Sequence, residues 1–180
     1  MLTKNVYLAE LIGITLGDGN LGFYPKYPKK EHLKIRCHYL RIYCCLDEKQ
    51  YAKEIEFILK RVFKKQCYIY KRPSENVLYL EISLKSLDTL LGLPIGDKIK
   101  NKVEIPNWIF NDKKYLLSCL RGLFDTDGCC YLTNKKYRIV NFTSANQVLL
   151  KNIRSGLAFL GFHPYIKGEK YVEIGRQSEV

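Results

Sequence analysis

The stretches LIGITLGDG at residues 11–19 and LRGLFDTDG at residues 120–128 decide how this sequence is interpreted. Leu, Gly, Asp and Gly occupy the same places in both stretches. Each stretch is apolar and ends at an Asp-Gly pair, which predicts a helix that stops at that pair. If the two stretches head a repeated unit, the sequence behind each of them must repeat as well.

The segments behind the two stretches do match in order. Tyr68 lies 27 residues after Arg41, and Tyr165 lies 27 residues after Arg138. The runs YLEI and YVEI then follow, and each has the aromatic or β-branched character of a strand. The chain is therefore predicted to contain one unit twice, with Arg41 and Arg138 at equivalent positions.

Each unit is predicted to fold as helix, hairpin, helix, hairpin. Behind the two motif helices, apolar residues at helical spacing predict helices, and alternating apolar and polar residues predict strands. The predicted elements are strands at 34–45 and 136–142, helices at 49–63 and 147–160, and a short helix near 84–91. Asn111 or Asp112 is expected to cap the second motif helix. The predicted division is a first repeat at residues 1–100, a connector at 101–112 and a second repeat at 113–180.

The charge of the chain favours nucleic acid as the partner. The chain has 180 residues, 47% of them hydrophobic, so it can bury an ordinary core. Its formal net charge is +12. Such a surface attracts polyanions, because each Lys or Arg that meets a phosphate releases a condensed counterion. A basic protein with an ordinary solvated surface is the alternative that charge alone leaves open.

The seven cysteines, with adjacent pairs at 44–45 and 129–130, do not form the pattern of a secreted disulfide framework. Unpaired thiols in a reducing compartment are expected instead, and no CxxC pair suggests zinc. The N-terminal apolar run is interrupted by Glu10 and Asp18, which argues against a signal peptide. No segment is apolar enough to span a bilayer. We expect an intracellular protein of the cytoplasm, or of an organelle in a eukaryotic source.

Small side chains on each motif helix predict that the two helices pack together. Gly13 and Gly17 are four residues apart in the first stretch, and Gly122 and Thr126 are four apart in the second. Such faces allow close helix approach, so a central seam with pseudo-two-fold symmetry is expected. The large apolar residues beside these faces would fill the cores of the two halves: Leu11, Ile12, Leu16, Leu120, Leu123 and Phe124.

Asp18 and Asp127 are predicted to lie at the C-terminal ends of the paired helices. Those ends carry partial negative charge, so two carboxylates brought together there would favour a bound cation. Carboxylate, carbonyl and water oxygens suit Mg²⁺. The expected ligands are the two aspartates and the carbonyls of Gly17 and Thr126. Gly19 and Gly128 are expected to end the helices in the left-handed conformation.

These residues resemble the LAGLIDADG family, with the metal-binding Asp at the eighth position of each motif. The sixth position differs between the copies, with Leu16 in the first and Asp125 in the second. The resemblance implies an α+β fold of two pseudo-symmetric αββαββ(α) repeats, whose antiparallel sheets form a DNA-binding saddle. It also implies a monomeric homing endonuclease that cuts double-stranded DNA with Mg²⁺ and leaves 3′ overhangs. Mn²⁺ would also serve, and Ca²⁺ would support binding without cleavage.

The resemblance further implies a basic residue near the end of each repeat and a polar residue at a strand end near each metal. Lys98 fits the basic position of the first repeat, alongside the alternative of a solvated linker lysine. Its counterpart would fall near position 190, so the second repeat is expected to lack its last helix. By the repeat alignment, the strand-end positions are Cys44 and Asn141.

DNA contacts are expected from basic residues on the predicted strands and turns. The expected set is Lys34, Arg36, His38, Arg41, Lys71, Arg72, Lys136, Arg138 and Lys167. Arg41 lies 23 residues after Asp18, whereas Arg138 lies 11 after Asp127. Hairpins of different length predict a long, asymmetric target.

Three other interpretations remain open at this stage. The same scaffold serves non-cleaving nucleic-acid binders, such as RNA maturases and DNA-binding regulators. An endonuclease domain embedded in an intein is disfavoured, because the sequence shows neither a splicing nucleophile at its start nor a terminal His-Asn. An unrelated basic α+β structural protein would leave the repeated motifs unexplained.

Overall fold

A computed structural model describes residues 2–25, 36–73, 75–134 and 136–180. In the first half, helix α1 (Val6–Leu16) is followed by strands β1 (Gly19–Pro25) and β2 (Arg36–Cys45). Helix α2 (Lys49–Phe63), strands β3 (Tyr68–Lys71) and β4 (Val77–Leu84), and the short helix α3 (Leu87–Leu91) complete it. This half has the predicted order of elements.

The second half repeats the order after a short 3-10 helix at Asn107–Asn111. It contains helix α4 (Lys113–Asp127), strands β5 (Gly128–Thr133) and β6 (Tyr137–Thr143), helix α5 (Gln147–Phe159), and strands β7 (Tyr165–Lys167) and β8 (Tyr171–Ile174). The predicted α+β fold of two pseudo-symmetric repeats is confirmed. Asp112 is the N-cap of α4, and its carboxylate accepts a hydrogen bond from the Lys114 amide at 2.7 Å.

Each half forms one antiparallel sheet of four strands. The strand orders are β1-β2-β4-β3 and β5-β6-β8-β7. Alternation along a strand sends successive side chains to opposite faces. Leu40 and Ile42 of β2 are fully buried against the helices, whereas Tyr39 and Arg41 point to the opposite side, which we call the open face of the sheet. The two open faces are therefore the surfaces that the strands leave available for a ligand.

Helices α1 and α4 form the most extensive contact between two elements of the described chain. Glycine allows this approach: a Cβ added to Gly13 would lie 2.1 Å from the Cys119 carbonyl oxygen, and one added to Gly122 would lie 2.4 Å from that of Glu10. A Cβ on Gly17 would meet the Thr126 hydroxyl at 1.9 Å. The predicted seam of small residues is confirmed, and it brings the two helix ends together.

The predicted left-handed caps at Gly19 and Gly128 are wrong. Gly128 has φ −90° and ψ 157°, which is extended, and Gly19 is the first residue of β1. Both positions need glycine for a steric reason instead. A Cβ on Gly19 would lie 2.5 Å from Thr15 Cα, and one on Gly128 would lie 2.4 Å from the Phe124 carbonyl oxygen. Strand β5 follows α4 with no residue between them, and β1 follows α1 after only Gly17 and Asp18.

The predicted equivalence of Arg41 and Arg138 is also wrong. Arg41 pairs with Glu81 across β2 and β4, and Asn141 pairs with Glu173 across β6 and β8. Arg41 is therefore equivalent to Asn141, three residues from the predicted partner. Equal spacing along the chain misled the alignment, because Tyr68 lies 27 residues after Arg41 whereas Tyr165 lies only 24 after Asn141. Helix α2, with 15 residues against 13 in α5, accounts for part of this difference. Cys44 likewise has no counterpart in Asn141.

Two global expectations can be compared with the described residues. Cys44, Cys45, Cys67, Cys119, Cys129 and Cys130 are free thiols, as expected. Across the described ranges, every helix falls short of the length and apolar character that a membrane span requires.

Candidate metal and DNA site

Asp18 and Asp127 lie where the two seam helices end. Asp127 is the last residue of α4, and Asp18 follows Gly17, the C-cap of α1. Gly17 and Thr126, which precede the aspartates, are in contact across the seam. The predicted convergence of one carboxylate from each repeat is therefore present.

Both carboxyl groups are electrostatically unfavourable when ionised. Burial raises the pKa of Asp18 to about 6, with a further contribution from the negative charge of Asp127, while Lys98 opposes the shift. Burial also raises the pKa of Asp127, again opposed by Lys98. The negative ends of two helix dipoles point into the same region. A divalent cation would relieve this concentration of negative charge.

Lys98 is held at the end of α1 by backbone carbonyl groups. Its Nζ donates hydrogen bonds to the carbonyl oxygens of Leu16 at 3.0 Å and Thr15 at 3.4 Å, and also to that of Gly17. Burial lowers the pKa of Lys98, and the nearby charges of Asp127 and Asp18 oppose that effect. Lys98 therefore lies near the two aspartates, as a residue of the site must.

The second repeat holds the loop that carries Lys98. Asn146, the N-cap of α5, donates from Nδ2 to the Val103 carbonyl oxygen at 2.6 Å and to that of Lys98 at 3.4 Å. A cleft of about 280 Å³ opens beside this contact, between Lys98, Asp127 and Asn146. Sequence reasoning missed Asn146. Its signal was an Asn directly before the predicted α5, since such a cap has a side chain available for local bonding.

The residues present fit a divalent metal that is completed by other ligands. Asp18 and Asp127 offer hard carboxylate oxygens, the donors that Mg²⁺, Mn²⁺ and Ca²⁺ prefer. Within residues 2–25, 36–73, 75–134 and 136–180, no three His, Cys, Asp or Glu side chains gather as a metal site. Carbonyl groups, water or phosphate oxygens must supply the remaining ligands. The Gly17 carbonyl already accepts Lys98, so it would be shared between the lysine and the metal.

The two sides of the site differ in chemistry. Glu48, the N-cap of α2, adds negative charge near Asp18 and raises its pKa further. Cys44 is buried on the helix side of β2, and burial raises the pKa of its thiol to about 12, so it is a neutral core residue. Next to Asp127, the cleft is instead lined by Thr143 and Ser144. The surroundings of Asp18 and Asp127 therefore differ, and Cys44 does not supply a strand-end polar group.

Several predicted DNA contacts lie away from the open faces. His38 lies two residues before Leu40 and therefore on the same, helix-facing side of β2. Its Nδ1 is 2.9 Å from the Asp88 carboxylate of α3. Lys71 lies opposite Leu78, and Arg138 lies opposite Leu132. By the alternation of their strands, both side chains lie on the helix side of the sheet. Strand alternation accounts for this placement, because a register error of one residue moves a side chain to the other face. Lys34 lies outside the described residues, as does the side chain of Arg36.

Other predicted contacts do lie at the open faces. The Arg41 guanidinium binds the Glu81 carboxylate at 2.7 Å and lies over the Tyr39 ring. Arg72 lies over the Tyr79 ring, and Lys136 lies over the Tyr137 ring. Lys167 binds the Glu173 carboxylate at 3.2 Å. These faces combine cations, aromatic rings and hydrogen-bonding groups.

Asn141, predicted as a catalytic strand-end residue, is buried at the centre of the second open face. Its Nδ2 donates to Glu173 at 3.2 Å, and its Oδ1 accepts from the Thr143 hydroxyl at 3.0 Å. Both polar ends of the amide are therefore engaged within the sheet. Sequence reasoning missed Glu173 and Glu81, although an acidic residue at the same place in YVEI and YLEI was the available signal.

Comparison with known proteins gives matches in sequence and in structure. Residues 114–179 match the family model of the LAGLIDADG-like domain. A DNA polymerase of Thermococcus sp. (strain GE8) is 31% identical over 157 residues, which cover 87% of this chain. A DNA polymerase of Methanocaldococcus jannaschii is 27% identical over 94% of this chain. The chain spans only 8% and 10% of those two proteins.

Solved structures show the same fold over nearly the whole chain. A structure of variants of the homing endonuclease I-DmoI has a TM-score of 0.66 at 19% identity, covering 98% of this chain and 88% of that one. I-DmoI in complex with DNA and Mn has a TM-score of 0.65 at 17% identity, covering 97% and 93%. The LAGLIDADG homing endonuclease I-LtrWI bound to target DNA has a TM-score of 0.55 at 14% identity, covering 94% and 78%. Residues 114–179 therefore form a LAGLIDADG-like domain, and the whole chain has the fold of the LAGLIDADG homing endonucleases.

Proposed function

We propose that the chain is a site-specific endonuclease that hydrolyses phosphodiester bonds of double-stranded DNA with a divalent metal. The observation that carries the proposal is the pair of carboxyl groups at the joined helix ends, both with raised pKa and both beside Lys98. Such groups are destabilised without a cation, and perturbed groups of this kind gather at functional sites. DNA-bound relatives with the same fold support DNA as the substrate.

In this proposal, Asp18 and Asp127 hold the metal, with the carbonyls of Gly17 and Thr126 as further ligands. A bound Mg²⁺ would polarise the scissile phosphate and lower the pKa of an attacking water. The seam fixes the two carboxylates relative to each other, so that one scissile bond of each strand meets one helix end. Cleavage is proposed to leave 3′ overhangs.

Lys98 is proposed to act on charge at the scissile phosphate. Its ammonium is fixed by the α1 carbonyls and is partly desolvated. A positive charge held in this way stabilises negative charge that develops during hydrolysis, because it needs little reorganisation. Asn141 is not proposed to take part in the chemistry directly, since both ends of its amide bond within the sheet.

The binding surface is proposed to be the two open faces, with a monomer spanning a long asymmetric site. The faces are not equivalent, because Arg41 in the first corresponds to Asn141 in the second. Each half-site would therefore meet different chemistry. The free thiols, which include exposed Cys129 and Cys130, favour a reducing intracellular compartment.

Substitution of each aspartate tests the proposal. A duplex target is first selected from a randomised library in Ca²⁺ and is then incubated with Mg²⁺ or Mn²⁺. Asp18→Asn and Asp127→Asn should each lower the cleavage rate by about 100-fold or more, since metal stabilisation contributes several kcal/mol. Both variants should still bind the target. Asp125→Asn is the matched control, because it removes the same charge from α4 two residues before the site, and it should cut normally.

A non-cleaving nucleic-acid binder is the second candidate function, whether of the RNA maturase or the DNA-binding regulator type. The observation that favours it is the Lys98 ammonium, which already provides a cation at the α1 end. A selected duplex that is bound but never nicked in Mg²⁺ or Mn²⁺ would support this candidate. Preference for structured RNA over duplex DNA would separate the maturase type.

The two polymerase relatives suggest the genetic context in which this sequence is encoded. Because the chain matches 8% and 10% of those proteins, the matched segment is a small part of a longer chain. We propose mobility of the intein type, in which an endonuclease domain is carried within a host protein. Splicing segments in the gene on both sides of this sequence would support that proposal, and an intron boundary would oppose it.

A further inference from the structure

The buried carboxylate of Glu173 is the centre of a hydrogen-bond network on the second open face. Glu173 is only 2% exposed. Its oxygens accept hydrogen bonds from the Tyr165 hydroxyl at 2.7 Å and the Tyr131 hydroxyl at 2.9 Å. They also accept from Lys167 Nζ and from Asn141 Nδ2, both at 3.2 Å. These bonds lower the pKa of Glu173 despite its burial, so the group is ionised at neutral pH.

The partners of Glu173 reach the surface, although Glu173 itself does not. Tyr131 is 37% exposed and Tyr165 is 44% exposed, and the Lys167 side chain is 60% exposed. They come from strands β5 and β7, on either side of the strand pair that carries Glu173 and Asn141. One buried acid thus fixes three side chains that a ligand on this face would touch.

The hydrogen bonds to Glu173 decide which role each exposed group can play. A phenol has one proton, so a Tyr hydroxyl that donates to the carboxylate presents only acceptor lone pairs to a ligand. An ionised carboxylate can only accept, so Tyr131 and Tyr165 cannot reverse these bonds. The Lys167 ammonium has three donors and uses one of them on Glu173. The face therefore presents two acceptors beside one donor.

We propose that Glu173 is a positioning residue that sets the base preference of the second sheet by fixing the hydrogen-bond polarity of Tyr131 and Tyr165 and the position of the Lys167 ammonium. Acceptor hydroxyls match the exocyclic amino groups of adenine and cytosine in the major groove, and the ammonium matches the acceptors of guanine. This inference rests on the proposed binding of duplex DNA by the open faces. It adds which groups on the second sheet distinguish bases, and why.

The first sheet provides an internal control. Glu81 occupies the register position of Glu173, but its carboxylate binds the Arg41 guanidinium at 2.7 and 2.8 Å and the Tyr70 hydroxyl at 3.1 Å. A change at Glu81 should therefore affect only the half-site of the first sheet. The two glutamates allow a matched pair of substitutions at equivalent positions.

The test is selection of bound duplexes in Ca²⁺ with the wild type, Glu173→Gln and Glu81→Gln. Glutamine keeps the shape but can donate as well as accept, so it allows the tyrosine hydroxyls to turn. In Glu173→Gln, preference should fall about tenfold at bases of one half-site, since one good base contact contributes a discrimination of that order or more. The other half-site should keep its consensus. The double variant Tyr131→Phe with Tyr165→Phe should weaken preference at the bases that the two hydroxyls contact, and adding Glu173→Gln to it should change those bases little further.

The outcomes separate this inference from the proposed function. A wild type that enriches no sequence would overturn the proposed function and this inference with it. A wild type with a consensus that Glu173→Gln leaves unchanged would overturn this inference alone. Equal loss at both half-sites would do the same, because it would indicate a general loss of folding. If Glu173→Gln does not fold, the tyrosine double variant decides, since it leaves the buried carboxylate in place.

Discussion

Asp18→Asn should stabilise the metal-free protein at neutral pH, although it should abolish cleavage. The pKa of Asp18 is raised from 3.8 to about 6, chiefly by burial and then by Asp127. Below pH 3.8, the carboxyl group is protonated in both the folded and the unfolded chain and contributes nothing. As the pH rises from 3.8 to 6, the unfolded chain loses its proton first, so the folded state is progressively destabilised. Above pH 6 the full cost is present.

The size of the effect follows from the pKa shift and from the exposure of the group. A shift from 3.8 to about 6 in a fully buried group would correspond to roughly 3 kcal/mol. The carboxyl group of Asp18 is only partly desolvated, since the residue as a whole is exposed, so solvent screening reduces the cost to about 1 kcal/mol. For a chain of this size, 1 kcal/mol corresponds to about 2–4 °C in Tm.

Thermal unfolding at pH 4 and pH 7.5 measures this effect directly. In EDTA, Asp18→Asn should unfold about 2–4 °C above the wild type at pH 7.5 and should match it near pH 4. Added Mg²⁺ should raise the Tm of the wild type more than that of the variant, because a ligand stabilises the state that binds it. A variant that is less stable at pH 7.5, or equally stabilised at both pH values, would refute the cost of ionising Asp18 on which the proposed metal site rests.

Three further predictions follow from the seam and the site. Gly13→Ala should destabilise the fold by about 3 kcal/mol in denaturant titrations, because its Cβ would lie 2.1 Å from the Cys119 carbonyl. Gly156→Ala, whose Cβ would meet the movable Leu116 side chain at 3.0 Å, is the control and should cost much less. Lys98→Met should slow single-turnover cleavage by about 100-fold, with target affinity in Ca²⁺ nearly unchanged; equal cleavage would remove Lys98 from the mechanism. Calorimetric Mn²⁺ affinity should fall between pH 7.5 and pH 5, since the raised pKa of Asp18 makes protons compete with the metal, and a pH-independent affinity would exclude Asp18 as a ligand.

The helices and the seam could be predicted from sequence because local rules determine them. The predicted helix at residues 49–63 coincides with α2, and the second was placed at 147–160 against Gln147–Phe159. The seam followed from Gly13, Gly17 and Gly122, since only small residues let two backbones approach closely. Apolar periodicity and residue volume act over a few neighbouring residues, so they can be read directly from the chain.

Strand register could not be predicted, because it depends on the lengths of other elements. The spacing from Arg41 to Tyr68 equals that from Arg138 to Tyr165, yet only the tyrosines are equivalent. Tyr68 pairs with Glu81, and Tyr165 pairs with the equivalent Glu173. The longer end of β2 and the longer helix α2 in the first repeat, partly offset by a shorter loop after α2, displace the apparent match by three residues on the β2 side. Since alternate residues face opposite sides and three is an odd number, this displacement also exchanges open-face and core-facing side chains.

Glu81 and Glu173, the buried acids of the two open faces, could have been recognised from the sequence. A Glu in the centre of an apolar strand costs several kcal/mol of desolvation unless partners bind it. YLEI and YVEI place such a Glu in both repeats, so two sets of partners had to exist on the same faces. What the sequence could not show was their identity, because Arg41 lies 40 residues before Glu81 and Tyr131 lies 42 before Glu173.

The segment after α3, which carries Lys98, is part of the site, and this links the two repeats more closely than their symmetry suggests. Lys98 reaches carbonyls of α1 that are 82 and 83 residues away in the chain. Its loop is held by Asn146 of the second repeat, which must also cap α5. An Asn146→Ala change should therefore impair two functions together, the start of α5 and the placement of Lys98. Because the lysine at one helix end depends on the other repeat, neither repeat alone would be expected to assemble a complete catalytic centre.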